Sequence, residues 1–147
     1  QGNVALAYHC KLFNAALKSA VDWQHATSKL TGFQTINSIN HLYTFTNQWS
    51  LPWSMVIDTD LTYYVRSGYA DHSMNSGEWI WNMAVAKRML KSKALSLKLS
   101  GHDILAQRRS IVRTLNAQGR TETWHNVVPR YFMLSLVYHF SKSPRKE

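Results

Sequence analysis

The residue types of a hydrolase triad occur consecutively at Asp71-His72-Ser73. Nucleophilic catalysis needs such side chains to converge on one proton path. Neighbours in a loop do not converge, so this trio is composition without geometry. Asp58 and Asp60 stand two apart, which in a strand puts both carboxylates on one face. The pair could hold a cation or share a proton. It equally suits a wet wall balanced by Arg66, Arg88 or Lys98. Histidines stand at 9, 25, 41, 72, 102, 125 and 139, with no His-x-x-x-His or Cys/His spacing, so nothing points to a metal. Cys10 is the single cysteine and excludes an internal disulfide; its apolar-patterned run suggests a packing role. Arg108, Arg109, Arg113 and Arg120 share one long connection. They could meet anionic lipopolysaccharide or an acidic ligand, or form a solvated loop surface. These residues predict no catalytic group, metal or cofactor, and no enzyme.

The elements that would position these groups read as strands. Hydrophobic residues make up 45% of the 147, and charged residues only 17%. No apolar run reaches the roughly 18 residues of a transmembrane helix, and the mean hydropathy is −0.31. A barrel strand alternates lipid-facing and lumen-facing residues, which averages to a mild value like this one. The net charge of +9 is spread in small clusters such as Lys87-Arg88 and Arg108-Arg109. No phosphate loop or zinc-finger spacing accompanies it, so nucleic acid is not expected as a partner. The residues contain no signal peptide, so export to the outer membrane would need one upstream.

Period-2 alternation predicts strands over 4–13, 16–26, 38–51, 53–66, 78–90, 94–102 and 130–140. The segment 103–129 has room for an extra hairpin around 111–126. Val4, Tyr43, Ile57, Leu61, Met83, Leu95, Leu97, Leu134 and Leu136 fall on apolar faces. Asn40, Thr46, Asp58, Asp60, Asn82, Ser96, Lys98 and Ser135 fall on the opposite ones. Between strands, short turns at 14–15, 52 and 91–93 alternate with long loops at 27–37, 67–77 and 103–129. Outer-membrane barrels have short periplasmic turns and long extracellular loops. A soluble sandwich has no reason to alternate in step with strand direction.

Aromatics cluster at the expected strand ends. Phe13, Trp49, Trp53, Tyr138 and Phe140 fall at one end, and Trp23, Tyr63, Tyr64, Trp79 and Trp81 at the other. Two such belts fit interfacial girdles. The fold class is therefore all-β: an antiparallel up-and-down meander of a transmembrane outer-membrane β-barrel. About seven long strands make it a partial barrel, since bacterial single-chain barrels have even strand numbers. Residues 1–141 are assigned to the C-terminal portion of the barrel and 142–147 to a short polar tail.

The second half resembles the outer-membrane β-barrel family of Bacteroidota related to TonB-dependent receptors. The resemblance rests on Leu51-Pro52-Trp53, Arg66-Ser67-Gly68-Tyr69, Trp79-Ile80-Trp81-Asn82 and Lys93-Ala94-Leu95-Ser96-Leu97. It continues through Asp103-Ile104-Leu105-Ala106-Gln107, Arg109-Ser110-Ile111, Arg113 and Arg130-Tyr131-Phe132-Met133-Leu134-Ser135-Leu136. It is detailed over 51–141 and looser over 1–50.

The resemblance implies ligand uptake across the outer membrane. Larger relatives carry an N-terminal plug in the barrel and are energised through TonB. Neither a plug nor a TonB-binding segment is found in these residues, so they do not argue active transport; the missing N-terminal barrel strands and a plug are expected upstream. The resemblance also implies an assembly signal in the last strand, in which Phe140, Tyr138 and Ser135 hold the characteristic places. Ser135 stands where glycine is usual, and the tail continues past the aromatic. The expected partners are outer-membrane lipid, lipopolysaccharide and the barrel assembly machinery. The alternative reading is a soluble all-β binding module of carbohydrate-binding type, with exposed Trp and Tyr as sugar platforms.

Overall fold

The computed structural model describes residues 1–27, 35–69, 72–90, 94–109, 111–116, 119–126 and 128–140. Seven strands form one antiparallel sheet: β1 (Gly2–His9), β2 (Phe13–Ala26), β3 (Ile36–Leu51), β4 (Met55–Ser67), β5 (Ser76–Met89), β6 (Leu95–His102) and β9 (Tyr131–Tyr138). They are ordered β1-β2-β3-β4-β5-β6-β9, each against its predecessor, so β1 and β9 are the two edges. The hairpin of β7 (Ile111–Asn116) and β8 (Gly119–Trp124) stands apart as a two-stranded ribbon between β6 and β9. This is the extra hairpin expected within 103–129.

The register fixes the faces. One row pairs Leu6 with Leu17, Leu17 with Phe45, Phe45 with Leu61 and Leu61 with Trp81. Another joins Trp49, Ile57, Val85, Leu99 and Leu134. Directly paired residues share a face, so the apolar positions merge into one apolar surface. Among the described residues no second sheet covers it: Leu134 and Leu136 are each 67% exposed. Among the described residues the buried hydrophobic core is Met74 alone. A soluble domain buries its apolar face against a second layer; this sheet instead turns its apolar face outward.

The connections alternate as expected. Those at 10–12 and 52–54 are short, those at 68–75 and 103–130 long. The expected turn at 91–93 lies outside the described residues. The first turn is not at Asn14-Ala15, which lie inside β2, but at 10–12. There Phe13 opens β2 opposite Trp49, with ring centroids 4.5 Å apart, and its ring is 6.4 Å from Tyr8. That contact involves β3 and is invisible to a local turn reading. Cys10 consequently belongs to the exposed turn rather than to a packed strand.

Gly68 is the position where the backbone needs glycine. Its φ is +83°, and a Cβ there would lie 2.4 Å from the Asn37 carbonyl oxygen. Beyond it, Tyr69 donates its N–H to Asn75 Oδ1 and accepts from Asn75 Nδ2 at its own carbonyl, both at 3.0 Å. The Asn75 amide thus takes the place of a strand partner for both backbone groups of Tyr69, next to the buried Met74. Gly68→Ala should cost at least ~1–2 kcal/mol from the left-handed backbone alone, with the carbonyl clash adding to it. A lowered urea midpoint for the intact protein in detergent checks this.

The polar inner wall as candidate functional site

Opposite the apolar surface lies a polar wall. Asn40, Thr46, Asp58, Asp60, Asn82, Ser96, Lys98 and Ser135 all fall on it through the register. The sheet encloses a trough of about 570 Å³ there, whose lining includes His9, Asn14, Thr46, Gln48, Asp58, Asp60, Asn82, Lys98, Ser100 and His102. Toward the long-loop end a second recess of about 650 Å³ is lined by Asn3, Asp22, Asn40, Leu42 and Tyr64, among others. The two hollows lie on the same inner face of the sheet.

Asp58 and Asp60 do stand together on this wall, as their spacing predicts. Their hydrogen-bond partners are amides rather than the expected cations. Gln48 Nε2 donates to Asp58 Oδ1 at 2.7 Å, and Asn82 Nδ2 donates to Asp60 Oδ1 at 3.3 Å. Arg66 is occupied with Tyr64: its Nε donates to the phenol oxygen at 2.8 Å, and its guanidinium lies 4.9 Å from the ring centroid. A carboxylate oxygen has lone pairs beyond the one such an amide uses. The arrangement can hydrogen-bond a polar solute.

The upper half of β5 is completed by an irregular segment. β6 pairs with β5 only over Met83–Met89. Above that, residues 103–109 lie along β5. Ile104 N–H donates to the Trp81 carbonyl at 2.9 Å, and Trp79 N–H donates to Gln107 Oε1 at 3.0 Å. Asp103 organises the segment. It is 5% exposed, and its carboxylate accepts the N–H groups of Gln107 and Arg108, each at 3.2 Å. Its own N–H donates to Asn82 Oδ1 at 3.0 Å, so Asn82 bridges the wall carboxylate Asp60 and this segment. Arg109 Nε pairs with Glu78 at 3.2 Å, and Arg130 Nη1 donates to the Ile104 carbonyl at 3.1 Å.

Asp103→Ala would leave two N–H groups without their acceptor, at about 1–3 kcal/mol for each that stays buried. We expect a lower urea midpoint and faster amide exchange at Trp79 and Ile104. Asp103→Asn, which keeps one acceptor oxygen, should lose less.

The belts are found with two exceptions, Tyr64 on the inner wall and Trp81, which pairs with Leu61 at the middle of β4 and not at a strand end. Tyr43, Tyr63 and Trp79 stack across β3, β4 and β5, with centroids 6.5 Å and 4.1 Å apart. Tyr138 packs edge-on against Phe140 at 4.5 Å. Tyr64 is not in the outer belt, because a residue adjacent to Tyr63 must face the other way. It lines the inner wall. Ser135 is on the inner wall opposite Lys98, whereas Tyr138 ends β9 opposite Leu95 on the apolar side. His139 N–H continues the ladder to the Ala94 carbonyl at 2.8 Å, and Phe140 is 88% exposed.

His72 lies in a short 3-10 helix, His72–Met74, and Asp71 lies outside the described residues. Among the described residues, no three His, Cys, Asp or Glu side chains are grouped to hold a metal ion. The roles of Asp103, Asn82 and Asn75 were not predicted. Their signal was slight: a polar residue just past a strand end, with a partner distant in sequence.

A single-layer meander that is apolar outside, polar inside and belted by aromatics is the wall of a membrane-spanning β-barrel. Residues 6–138 match the model of an outer membrane protein beta-barrel family, and the chain belongs to that family. Its place is the outer membrane, and it is not a soluble sandwich. No curated protein and no solved structure matches the chain.

Proposed function

We propose that this chain forms wall of an outer-membrane uptake barrel of the TonB-dependent-receptor type, resembling those of Bacteroidota. The observation that supports this reading is the inner-wall trough, where Asp58 and Asp60 each accept from one amide and keep lone pairs for a passing solute. The reading assigns the chain no chemical step. It takes a plug and a TonB-binding segment to come from upstream sequence. Lipid and lipopolysaccharide surround the apolar face, and the barrel assembly machinery reads Ser135, Tyr138 and Phe140.

The test is genetic, with single growth-limiting nutrients as probes. A strain lacking the protein should lose growth on at least one nutrient. Loss of TonB should reproduce that defect, and the double loss should be no worse. A defect independent of TonB, or no defect on any nutrient, overturns the reading.

A further inference from the structure

We infer that the rim of short turns binds the headgroups of anionic phospholipid in the periplasmic leaflet, with Lys11 and Lys87 as the cations and Leu12, Trp53 and Leu90 as apolar anchors. The inference rests on the outer-membrane placement and not on the uptake reading.

The rim is a fixed structure. Four backbone hydrogen bonds beyond the strand ends stitch it together. Cys10 N–H donates to the Phe13 carbonyl and Ser50 N–H to the Leu12 carbonyl, both at 2.8 Å. Arg88 N–H donates to the Ser54 carbonyl at 3.0 Å, and His139 N–H to the Ala94 carbonyl at 2.8 Å. Turn 10–12 is thereby tied to β3 and turn 52–54 to β5, so the groups at their tips are held in place.

Those tips carry side chains that the turns themselves do not favour. Trp53, Ser54 and Leu90 have φ of 62°, 56° and 68°. Left-handed backbone disfavours residues with a β-carbon, and glycine is its usual occupant. Trp53 is nevertheless 80% exposed there, and Leu12 and Leu90 are exposed as well. Large apolar side chains kept in strained turns and away from any core point to contacts outside the protein.

Charge identifies what they contact. Lys11 is exposed in the first turn. Lys87 is exposed two residues before the end of β5, on the lipid side between Met55 and Leu97. Among the described residues no carboxylate stands in the short turns or pairs with either lysine. The nearest along β4, Asp58, is on the inner wall with Gln48. At the long-loop end, by contrast, Arg109 is paired with Glu78. Lys91 and Lys93 follow Leu90 in the sequence and add to the basic balance. Apolar anchors beside cations suit the boundary of an anionic leaflet, where apolar groups enter the acyl region and ammonium groups meet phosphate. Short turns are periplasmic, so the leaflet is the periplasmic one. A soluble acidic protein fits less well, because Lys87 is on the lipid side, and its stem can carry the ammonium along the strand to the headgroups.

Local lipid capture tests this. A benzophenone-bearing phenylalanine replaces Trp53 in the intact polypeptide, which is placed in vesicles of equal phosphatidylglycerol and phosphatidylcholine. Mass spectrometry gives the ratio of the two lipid adducts after illumination. We expect phosphatidylglycerol to be favoured. Lys11→Gln and Lys87→Gln should each lower the ratio, by up to about fivefold for a cation at the headgroups. Lys18→Gln removes the same charge from the inner wall, between Ala5 and Thr44, and should leave the ratio unchanged. Equal capture of the two lipids overturns the inference. So does a ratio that neither rim lysine moves, or one that Lys18→Gln moves as far. In the outer membrane of cells the same photoreactive protein should capture phospholipid. A protein as the main adduct there would assign the rim to a periplasmic partner and overturn the lipid assignment.

Discussion

Replacing Leu61 by arginine should destabilise the inserted barrel by about 2–4 kcal/mol, the cost of a cation on the lipid face at the bilayer midplane. Leu61 is the central residue of β4 (Met55–Ser67) and stands between Phe45 and Trp81 on the apolar surface. An arginine there must carry its charge half a membrane thickness to reach water, further than its stem extends. Leu97, also on the apolar surface, is a weaker site. It lies two residues from the start of β6, between Lys87 and Leu136. A cation is already accommodated at that level, so Leu97→Arg should cost about 0–1 kcal/mol, as near an interface. Repulsion from Lys87 adds at most about 1 kcal/mol. Lys98→Arg, on the inner wall, should be close to neutral. Urea titrations of the intact protein in lipid vesicles measure all three. Equal losses at positions 61 and 97 would contradict the depth assignment, and a large loss at 98 would contradict the faces.

The faces were legible because a membrane strand needs only period-2 patterning, and parity survives errors in length. Val4, Tyr43, Ile57 and Leu134 are all on the surface that their alternation predicts, although the first turn was misplaced. The turn was misplaced because Phe13 is held by Trp49, thirty-six residues away in sequence. Tyr64 was drawn into the outer belt by its type and its neighbour Tyr63, against its own parity.

The wall site was half legible. The spacing of Asp58 and Asp60 predicts a shared face. Their amide partners depend on which residues of β3 and β5 fall opposite, and register is a property of the whole sheet. The Asp103 segment was least legible, because it exists only where β6 stops short beside a longer β5. Nothing in residues 103–109 announces that the neighbouring strand needs an edge partner there. The loop closed by Asn75 is similar, with one amide doing the work of a strand.

Double replacement of Tyr138 and Phe140 by alanine should remove most of the protein from the outer membrane, while uptake per inserted molecule stays near normal. The two rings touch at 4.5 Å on the apolar side at the short-turn end of β9, the periplasmic end of a barrel so oriented. Amphipathic or aromatic rings are favoured at that interface. β9 is also an edge of the sheet, so before closure its outer row of hydrogen-bonding groups is available for recognition, as the proposed assembly role requires. Both features act before or during insertion. Once the barrel is closed, the two rings lie on the lipid side, away from the trough lined by Asp58 and Asp60. Ser135 separates assembly from packing in a second way. It is on the inner wall beside Lys98, so under the proposed assembly role Ser135→Gly should leave abundance unchanged or raise it. Surface labelling gives abundance, and uptake of a growth-limiting nutrient divided by that abundance gives activity per molecule. Normal abundance with lost uptake in the double variant would place the two rings in the ligand path and end the assembly reading.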